Sequence, residues 1–461
     1  MNDWSEAEQH VERAHELYEA GRWDEAEQAL RHALSLNPFR AEWHFNLGLT
    51  LEAAGRYADA AAALEAAHEL QPDDGPTLTL LASVLLRDER AEEAVRYLEL
   101  AEDIEESRFD SYVHRIEAYA ALDRHDEAEL MFYQALQDEE ADHAQAYANM
   151  GETLMARRDV ERALYCFREA ASRDSELPRI HARLAAAYAE TGRHERARQL
   201  YLRELRDEPG DIDTLLDLGC LLVDMNRLAD GAEKFRRVLE LESDNPDAHF
   251  FLGDVALRQQ RRRDAEAAFK LVHRLDPAYP EVRRRLAELA LDRTDLVEAR
   301  KLLRREMREF RERPVPFTPS DMDDLGGLLL DARLNRDAER VFLAFTERSP
   351  KDARAWHLLA VARFQVGNRD AAEEACRIAL QINPRLVPAL HNMALSAIQD
   401  RRWGRAVHYI ARIHAVDPDD PALRRLRLTV RACRLIDALS RSLGRIRGNT
   451  LSRGVRKRLR R

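Results

Sequence analysis

An alanine-centred element recurs along nearly the whole chain at a spacing of 34 residues. Of the eleven intervals between its twelve central positions, nine are 34 residues, one is 35 and one is 39. The central residues are Ala26, Ala60, Ala94, Ala128, Ala163, Ala197, Gly231, Ala265, Ala299, Ala338, Ala372 and Ala406. A fixed period of this length indicates a stack of supersecondary units and constrains the fold more than any other feature of the sequence.

Two further positions keep the same register. Twelve residues before each central position stands a small residue, with Ile116 as the bulky exception: Ala14, Gly48, Ala82, Gly151, Ala185, Gly219, Gly253, Ala287, Gly326, Ala360 and Ala394. Four residues after it stands a larger one: Leu30, Leu64, Leu98, Phe132, Phe167, Tyr201, Phe235, Phe269, Leu303, Phe342, Cys376 and Ile410. We expect the small residues to lie where two helix backbones cross, because bulk there would strain the pair.

Each unit has room for two helices of about 13 residues and two turns. Apolar residues at i, i+3, i+4 and i+7 give each helix one buried stripe. Proline, which cannot continue a helix, follows the second helix in seven units: Pro38, Pro72, Pro209, Pro277, Pro350, Pro384 and Pro418. Glycine, which tolerates positive φ, stands between the two helices at Gly21, Gly55, Gly192 and Gly367.

Composition agrees with an all-helical chain. Only 7% of the 461 residues are aromatic and 34% are charged, while Gly (17) and Pro (16) are scarce. This composition favours helices and disfavours a β-sandwich, a barrel or a doubly wound sheet.

The second unit carries the motif most completely, as Leu47-Gly48, Gly55-Arg56-Tyr57, Ala60, Leu64, Ala67 and Pro72. With these residues the chain resembles the tetratricopeptide repeat family, over about residues 7–420. The resemblance implies an all-α, right-handed superhelical solenoid of about twelve 34-residue helix-turn-helix repeats, with a C-terminal capping helix and a basic tail. It also implies that the first helices line a concave groove that binds extended or helical peptides.

The repeats divide the chain into five segments. We expect repeats 1–9 over residues 1–311, a Pro-rich insertion or hinge at 312–318 and repeats 10–12 over 319–420. A capping helix at 421–443 would cover the apolar face of the last repeat, which stacked repeats require. A basic tail, expected to be disordered, follows at 444–461.

A partial carboxylate clamp is the first candidate binding site. The resemblance implies that Asn149, Arg179 and Arg183 occupy places where chaperone-binding relatives hold a peptide's terminal carboxylate. The i, i+4 spacing predicts both arginines on one helix face, and guanidinium groups suit a carboxylate. The preceding repeat departs from the pattern with Val113 and Glu117, so ordinary polar groove residues are the alternative.

Asn46 and Asn392 occupy the same repeat position as Asn149. In a glycosyltransferase relative, asparagines at this position bind peptide backbone, since an amide both donates and accepts hydrogen bonds. We therefore include both among the tentative peptide-binding residues.

The basic tail is the second candidate. Residues 421–461 hold fourteen Arg or Lys and one Asp, a charge of +13, so the other 420 residues carry −25. An anionic partner would meet a cluster at the end of the chain: Arg453, Arg456, Lys457, Arg458, Arg460 and Arg461. Nucleic acid, an acidic membrane surface and the chain's own acidic body remain three alternatives.

No catalytic or cofactor motif is spelled out. The sequence has no GxxxxGK, GxGxxG, GxSxG or HExxH and no CxxC. We therefore expect no enzyme activity, cofactor or metal. The start at Met1 lacks the features of a signal peptide, and no apolar run is long enough to span a membrane, so we expect a cytoplasmic protein.

The leading hypothesis is a non-catalytic scaffold that binds peptide segments of other proteins in its groove. The alternatives are a nucleic-acid- or membrane-associated factor tethered by its tail, and a regulatory subunit of a separately encoded enzyme. No small-molecule substrate is implied. Rods of this kind often self-associate, so self-association stays open.

Overall fold

The computed structural model describes residues 3–138, 141–279, 281–312 and 317–436. Two compact units share the chain, one ending at Ser243 and the other beginning at Asp244. Within the described residues every regular element is a helix, so the predicted all-α class is confirmed. None of these helices combines the length and apolar character that crossing a bilayer requires.

Seven helix pairs, repeats 1–7, make up the first unit. Its helices are α1 (Asp3–Glu19), α2 (Trp23–Leu36), α3 (Ala41–Ala53), α4 (Tyr57–Leu70), α5 (Gly75–Arg87), α6 (Ala91–Glu102), α7 (Arg108–Ala121), α8 (His125–Ala135), α9 (Ala144–Ala156), α10 (Val160–Arg173), α11 (Ile180–Glu190), α12 (His194–Asp207), α13 (Ile212–Asp224) and α14 (Leu228–Leu241). A short 3₁₀ turn, Glu105–Ser107, precedes α7.

Five helix pairs, repeats 8–12, make up the second unit, followed by one more helical segment at 422–436, here called α25. The paired helices are α15 (Pro246–Arg258), α16 (Arg262–Leu275), α17 (Val282–Asp292), α18 (Leu296–Glu312), α19 (Pro319–Asp331), α20 (Asn335–Arg348), α21 (Ala353–Val366), α22 (Arg369–Ile382), α23 (Val387–Gln399) and α24 (Trp403–Val416).

Within each unit, each pair packs on the next pair along the chain, as a solenoid requires. The predicted small residues lie at the crossing of each pair. A Cβ added at Gly151, for example, would overlap the ring of Phe167, the large residue of the same repeat. In repeat 7, a Cβ added at Gly231 would overlap Val223 and the backbone carbonyl of Gly219, and one added at Gly219 would overlap the ring of Phe235.

The described end of the chain packs against repeat 12. Leu423, Leu426 and Val430 of α25 are buried in the core of the second unit. Residues 437–443 of the predicted capping helix lie outside the described residues, as does the whole basic tail.

Residues 313–316 of the predicted insertion or hinge also lie outside the described residues, so that assignment stays a prediction. The described end of the segment is anchored. Phe317 is buried and packs edge-to-face on Phe310 of α18, with ring centroids 5.1 Å apart. Thr318 and Asp321 form a capping box that starts α19.

The turn inside every repeat contains one residue with positive φ. Four of these residues are the predicted glycines, with φ between 70° and 93°. The other eight are not glycine, and their φ values lie between 58° and 62°: Glu89, Asp123, Arg158, Asn226, Gln260, Thr294, Arg333 and Arg401. Turn geometry is therefore common to all twelve repeats, while the glycine signal reveals only four.

We expect Thr294→Gly to stabilise the chain. Left-handed backbone costs a side-chain-bearing residue about 1–2 kcal/mol, and β-branched threonine is among the least suited to it. Glycine also has more conformational freedom in the unfolded chain, and this entropy offsets about 0.5–1 kcal/mol of the stabilisation. Thermal unfolding should show a higher midpoint for Thr294→Gly and a lower one for the mirror-image change, Gly192→Thr. A lower midpoint for Thr294→Gly would contradict the strain argument.

Candidate peptide-binding groove

First helices of successive repeats contact one another in parts of both units, as α5 with α7, α7 with α9 and α17 with α19 do. In the first unit, α9 contacts α11 and α11 contacts α13. The residue fourteen positions before the central position is Asn149 on α9, Arg183 on α11 and Asp217 on α13. This face therefore changes from amide to cation to carboxylate over three repeats.

Asn149 is used inside the protein. Its side chain is buried, its Nδ2 donates to the backbone carbonyl of Val113 at 3.1 Å, and its Oδ1 accepts from Nε2 of Gln145 at 2.7 Å. The amide thus connects repeat 5 to repeat 4. A partner peptide that used it would have to replace the bond to Val113.

Asn46 and Asn392 are more available than Asn149. Asn46 is half-buried on the wall of an apolar cavity of about 190 Å³, beside Val11, Tyr18 and Leu49. Asn392 is half-buried on α23, and within the described part of the chain its Nδ2 is buried without a hydrogen-bond partner. A buried amide without a partner is costly, so a carbonyl brought to Asn392 would relieve that cost.

The structure corrects the predicted arrangement of the two arginines. Arg179 is not on the helix: it precedes Ile180, the first residue of α11, with φ of 60°. Both the amide of His181 and that of Ala182 donate to Glu204 of α12, at 3.1 and 3.3 Å. The Glu204 carboxylate therefore caps the start of α11. Because Arg179 lies before this helix, its i, i+4 spacing from Arg183 does not place both side chains on one helix face.

Each arginine instead pairs with a carboxylate of a neighbouring repeat. Nη1 of Arg179 lies 2.7 Å from Asp213 of α13, and Nε of Arg183 lies 2.8 Å from Glu152 of α9. Nη1 of Arg183 is buried and has no hydrogen-bond partner in the described residues. A peptide carboxylate would compete with Glu152 for this guanidinium.

Carboxylates on the first helices are the feature that sequence reasoning missed. Removal from water raises the pKa of Asp217 on α13, Asp254 on α15 and Asp323 on α19, because burial disfavours the charged form. Asp217 keeps an exposed surface although surrounding atoms limit its hydration. Perturbed titratable groups in a cleft mark candidate sites.

The second unit has an open groove of about 340 Å³ lined by α17, α19 and the start of α21. Five carboxylates and three guanidinium groups line it: Glu281, Glu288, Asp323, Asp324, Asp331, Arg284, Arg285 and Arg354. We call this surface the acidic groove.

The guanidinium groups of the acidic groove are engaged. Arg285 lies 3.4 Å from Asp254, Arg354 pairs with Asp323, and Arg284 is buried. Asp324 and Asp331 are exposed, and neither forms an ion pair within the described ranges. The lining carries a formal charge of −2, and its free groups are acids.

The tail residues Arg453, Arg456, Lys457, Arg458, Arg460 and Arg461 lie outside the described residues, so the anionic-partner site stays a prediction.

Sequence comparison gives one curated relative and a set of solved structures. Cellulose synthase 2 operon protein C of Komagataeibacter xylinus is 27% identical over 244 residues, which cover 48% of this chain but 18% of that protein. The match thus spans about a fifth of that relative's length.

Three solved structures are similar to this chain at low sequence identity. The first is the Cut9–Hcn1 hetero-tetramer of the APC/C (14% identity, 90% of this chain and 95% of that chain, TM-score 0.42). The second is yeast Tom70 (16%, 94% and 96%, TM-score 0.38), and the third is PilF of Pseudomonas aeruginosa (18%, 46% and 97%, TM-score 0.40).

Two sequence profiles described as tetratricopeptide repeat match most of the chain. One matches residues 11–75, 148–212, 216–280, 252–314 and 324–386, and the other matches 51–118. These segments cover well over half of the sequence and fall on the helix pairs described above. The chain belongs to the tetratricopeptide repeat family.

Proposed function

We propose that this protein is a non-catalytic adaptor that binds peptide segments of partner proteins on the face formed by its first helices. The observation that carries the proposal is the acidic groove, an open cleft on three consecutive first helices with two free carboxylates. Stacked repeats commonly use such extended surfaces for binding.

A basic peptide segment fits the acidic groove best. Asp324 and Asp331 offer exposed carboxylates to lysine or arginine side chains, and the raised pKa of Asp323 reflects a site with limited hydration. Charge pairs strengthen where water is limited, so a cation brought to this surface gains more than at a flat surface.

The face of repeats 5–7 is proposed as a second contact region. Arg179 and Arg183 would bind a peptide carboxylate that displaces Asp213 and Glu152 from their guanidinium groups. Asn46, Asn149 and Asn392 stay proposed as contacts to peptide backbone, with Asn149 the least available because it already bonds to Val113.

We expect charge reversal in the acidic groove to abolish binding of basic peptides. Fluorescence anisotropy would compare labelled Arg/Lys-rich, neutral and Asp/Glu-rich peptides on the full chain. Asp324→Lys/Asp331→Lys should weaken binding of the basic peptide at least tenfold, because it replaces both free carboxylates with cations. Addition of salt should weaken wild-type binding as well.

The matched control is Glu347→Lys/Asp370→Lys, which makes the same change in charge at exposed positions of the second helices α20 and α22. It should bind the basic peptide like the wild type. Equal losses in both double variants would reduce the effect to net charge and contradict a groove site. Arg179→Glu/Arg183→Glu should affect only the Asp/Glu-rich peptide.

The division of charge between body and tail supports one alternative, an anionic partner held by residues 444–461. Deleting 445–461 should then abolish a strongly salt-dependent binding to nucleic acid or anionic vesicles and leave groove binding intact. If the groove instead binds the basic peptide more tightly after the deletion, the tail competes with that peptide for the groove. We keep the cytoplasm as the proposed compartment.

A further inference from the structure

Three metal-ligating side chains converge on the first repeat. Glu6 and His10 are four residues apart on α1, and His32 lies on α2. One ligand atom from each lies within 4.8 Å of the other two. The rings of His10 and His32 meet edge-on, with centroids 4.2 Å apart.

The position of this cluster is set by the packing of its two helices. Ala7 and Ala14 of α1 are buried in the same core as Ala29 and Ala33 of α2. Small residues on both helices bring the backbones close, and the i, i+4 spacing puts Glu6 and His10 on one face of α1. The packing of the two helices therefore brings the ligand atoms together.

We propose that Glu6, His10 and His32 bind a divalent transition-metal ion, of which Zn²⁺ is the representative. Two imidazole nitrogens and one carboxylate oxygen are ligands that Zn²⁺ takes in four-coordinate sites, with water completing the shell. Imidazole also suits Ni²⁺ and Cu²⁺, whereas Mg²⁺ and Ca²⁺ prefer oxygen ligands alone. These ligands therefore favour transition-metal ions over Mg²⁺ and Ca²⁺.

A bound ion would connect the two helices of repeat 1. Glu6 and His32 are exposed, and His10 is half-buried, so the site is open to ions from solution. The inference is independent of the proposed peptide binding, which uses other residues.

Calorimetric titration of the metal-depleted full chain with Zn²⁺ tests the site. We expect one equivalent of Zn²⁺ to bind, Mg²⁺ not to compete, and bound Zn²⁺ to raise the melting temperature, because it binds only the folded helix pair. His10→Gln and His32→Gln should each weaken binding at least tenfold. X-ray absorption spectroscopy of the Zn²⁺-bound protein should show that two imidazole nitrogens and oxygen atoms coordinate the zinc.

The control variant is His15→Gln, which removes an exposed histidine from the same helix without touching the cluster. It should bind Zn²⁺ like the wild type. Failure of the wild type to bind one equivalent, or equal losses in all three variants, would overturn the proposal. Retained affinity in both His10→Gln and His32→Gln would place the ion elsewhere and overturn it as well.

Discussion

Glu306→Ala is expected to destabilise the second unit by about 3–5 kcal/mol, because it removes one partner of a buried ion pair. The Glu306 side chain is 4% exposed, and its Oε2 accepts from Nε of Arg283 at 2.7 Å. Arg283 is itself 8% exposed, so the variant leaves a guanidinium group with less compensation in a site that water barely reaches.

Glu309→Ala is the matched control. Glu309 pairs with the same guanidinium, but its side chain is 40% exposed, and exposed pairs contribute about 0–1 kcal/mol. Denaturant unfolding combined with hydrogen exchange of α17 and α18 would measure both variants, since stacked repeats need not unfold in one step. Equal destabilisation by the two changes would refute the role given to burial.

The second large effect is expected at a pair of adjacent glycines. Gly326→Ala should destabilise by about 1–3 kcal/mol, because the added methyl overlaps the fully buried ring of Phe342. Gly327→Ala should stabilise by about 0.5–1 kcal/mol, because its Cβ meets open space and alanine favours the helix.

A double-mutant cycle connects the first of these effects to its cause. The preceding repeat places Ala287 and Leu303 where this repeat has Gly326 and Phe342, so alanine with leucine is a native combination. Gly326→Ala/Phe342→Leu should therefore lose less stability than the two single changes add up to. Additive losses, measured by thermal unfolding, would show that the methyl and the ring do not compete for space.

The helix pairs were predictable because burial of one stripe per helix recurs with a fixed period. Gly151 and Phe167 illustrate this, since a small residue and a large one at constant separation reveal the crossing directly. Gly21 and Gly55 likewise predicted turns. Their counterpart Thr294 gave no such signal, because tertiary packing holds that turn whatever residue occupies it.

The missed features depend on partners that are distant in sequence. Glu204 and Glu306 each sit on the buried side of a second helix, where a stripe argument expects an apolar residue. Each is satisfied by groups more than twenty residues away, the backbone amide of His181 and the guanidinium of Arg283. Neither pairing has a local signature.

The helix position of two candidate residues was predictable, but their contacts were not. The repeat register placed Asn149 and Arg183 on the first helices, where the structure has them. It could not show that Val113 and Glu152 already occupy these side chains. The sequence also could not identify unpaired carboxylates such as Asp324 as binding groups. An exposed acid on a helix usually contacts only water, and the groove around Asp324 is visible only in the structure.

Photo-crosslinking tests the central claim, that partner segments bind on the face of the first helices. A basic peptide carrying a benzophenone would be irradiated on the full chain at a concentration that saturates binding, and the crosslinked residues would be identified by mass spectrometry. We predict crosslinks on α17, α19 and α21 that disappear in Asp324→Lys/Asp331→Lys. Crosslinks confined to the second helices α18, α20 and α22, unchanged in that variant, would contradict the proposed binding face.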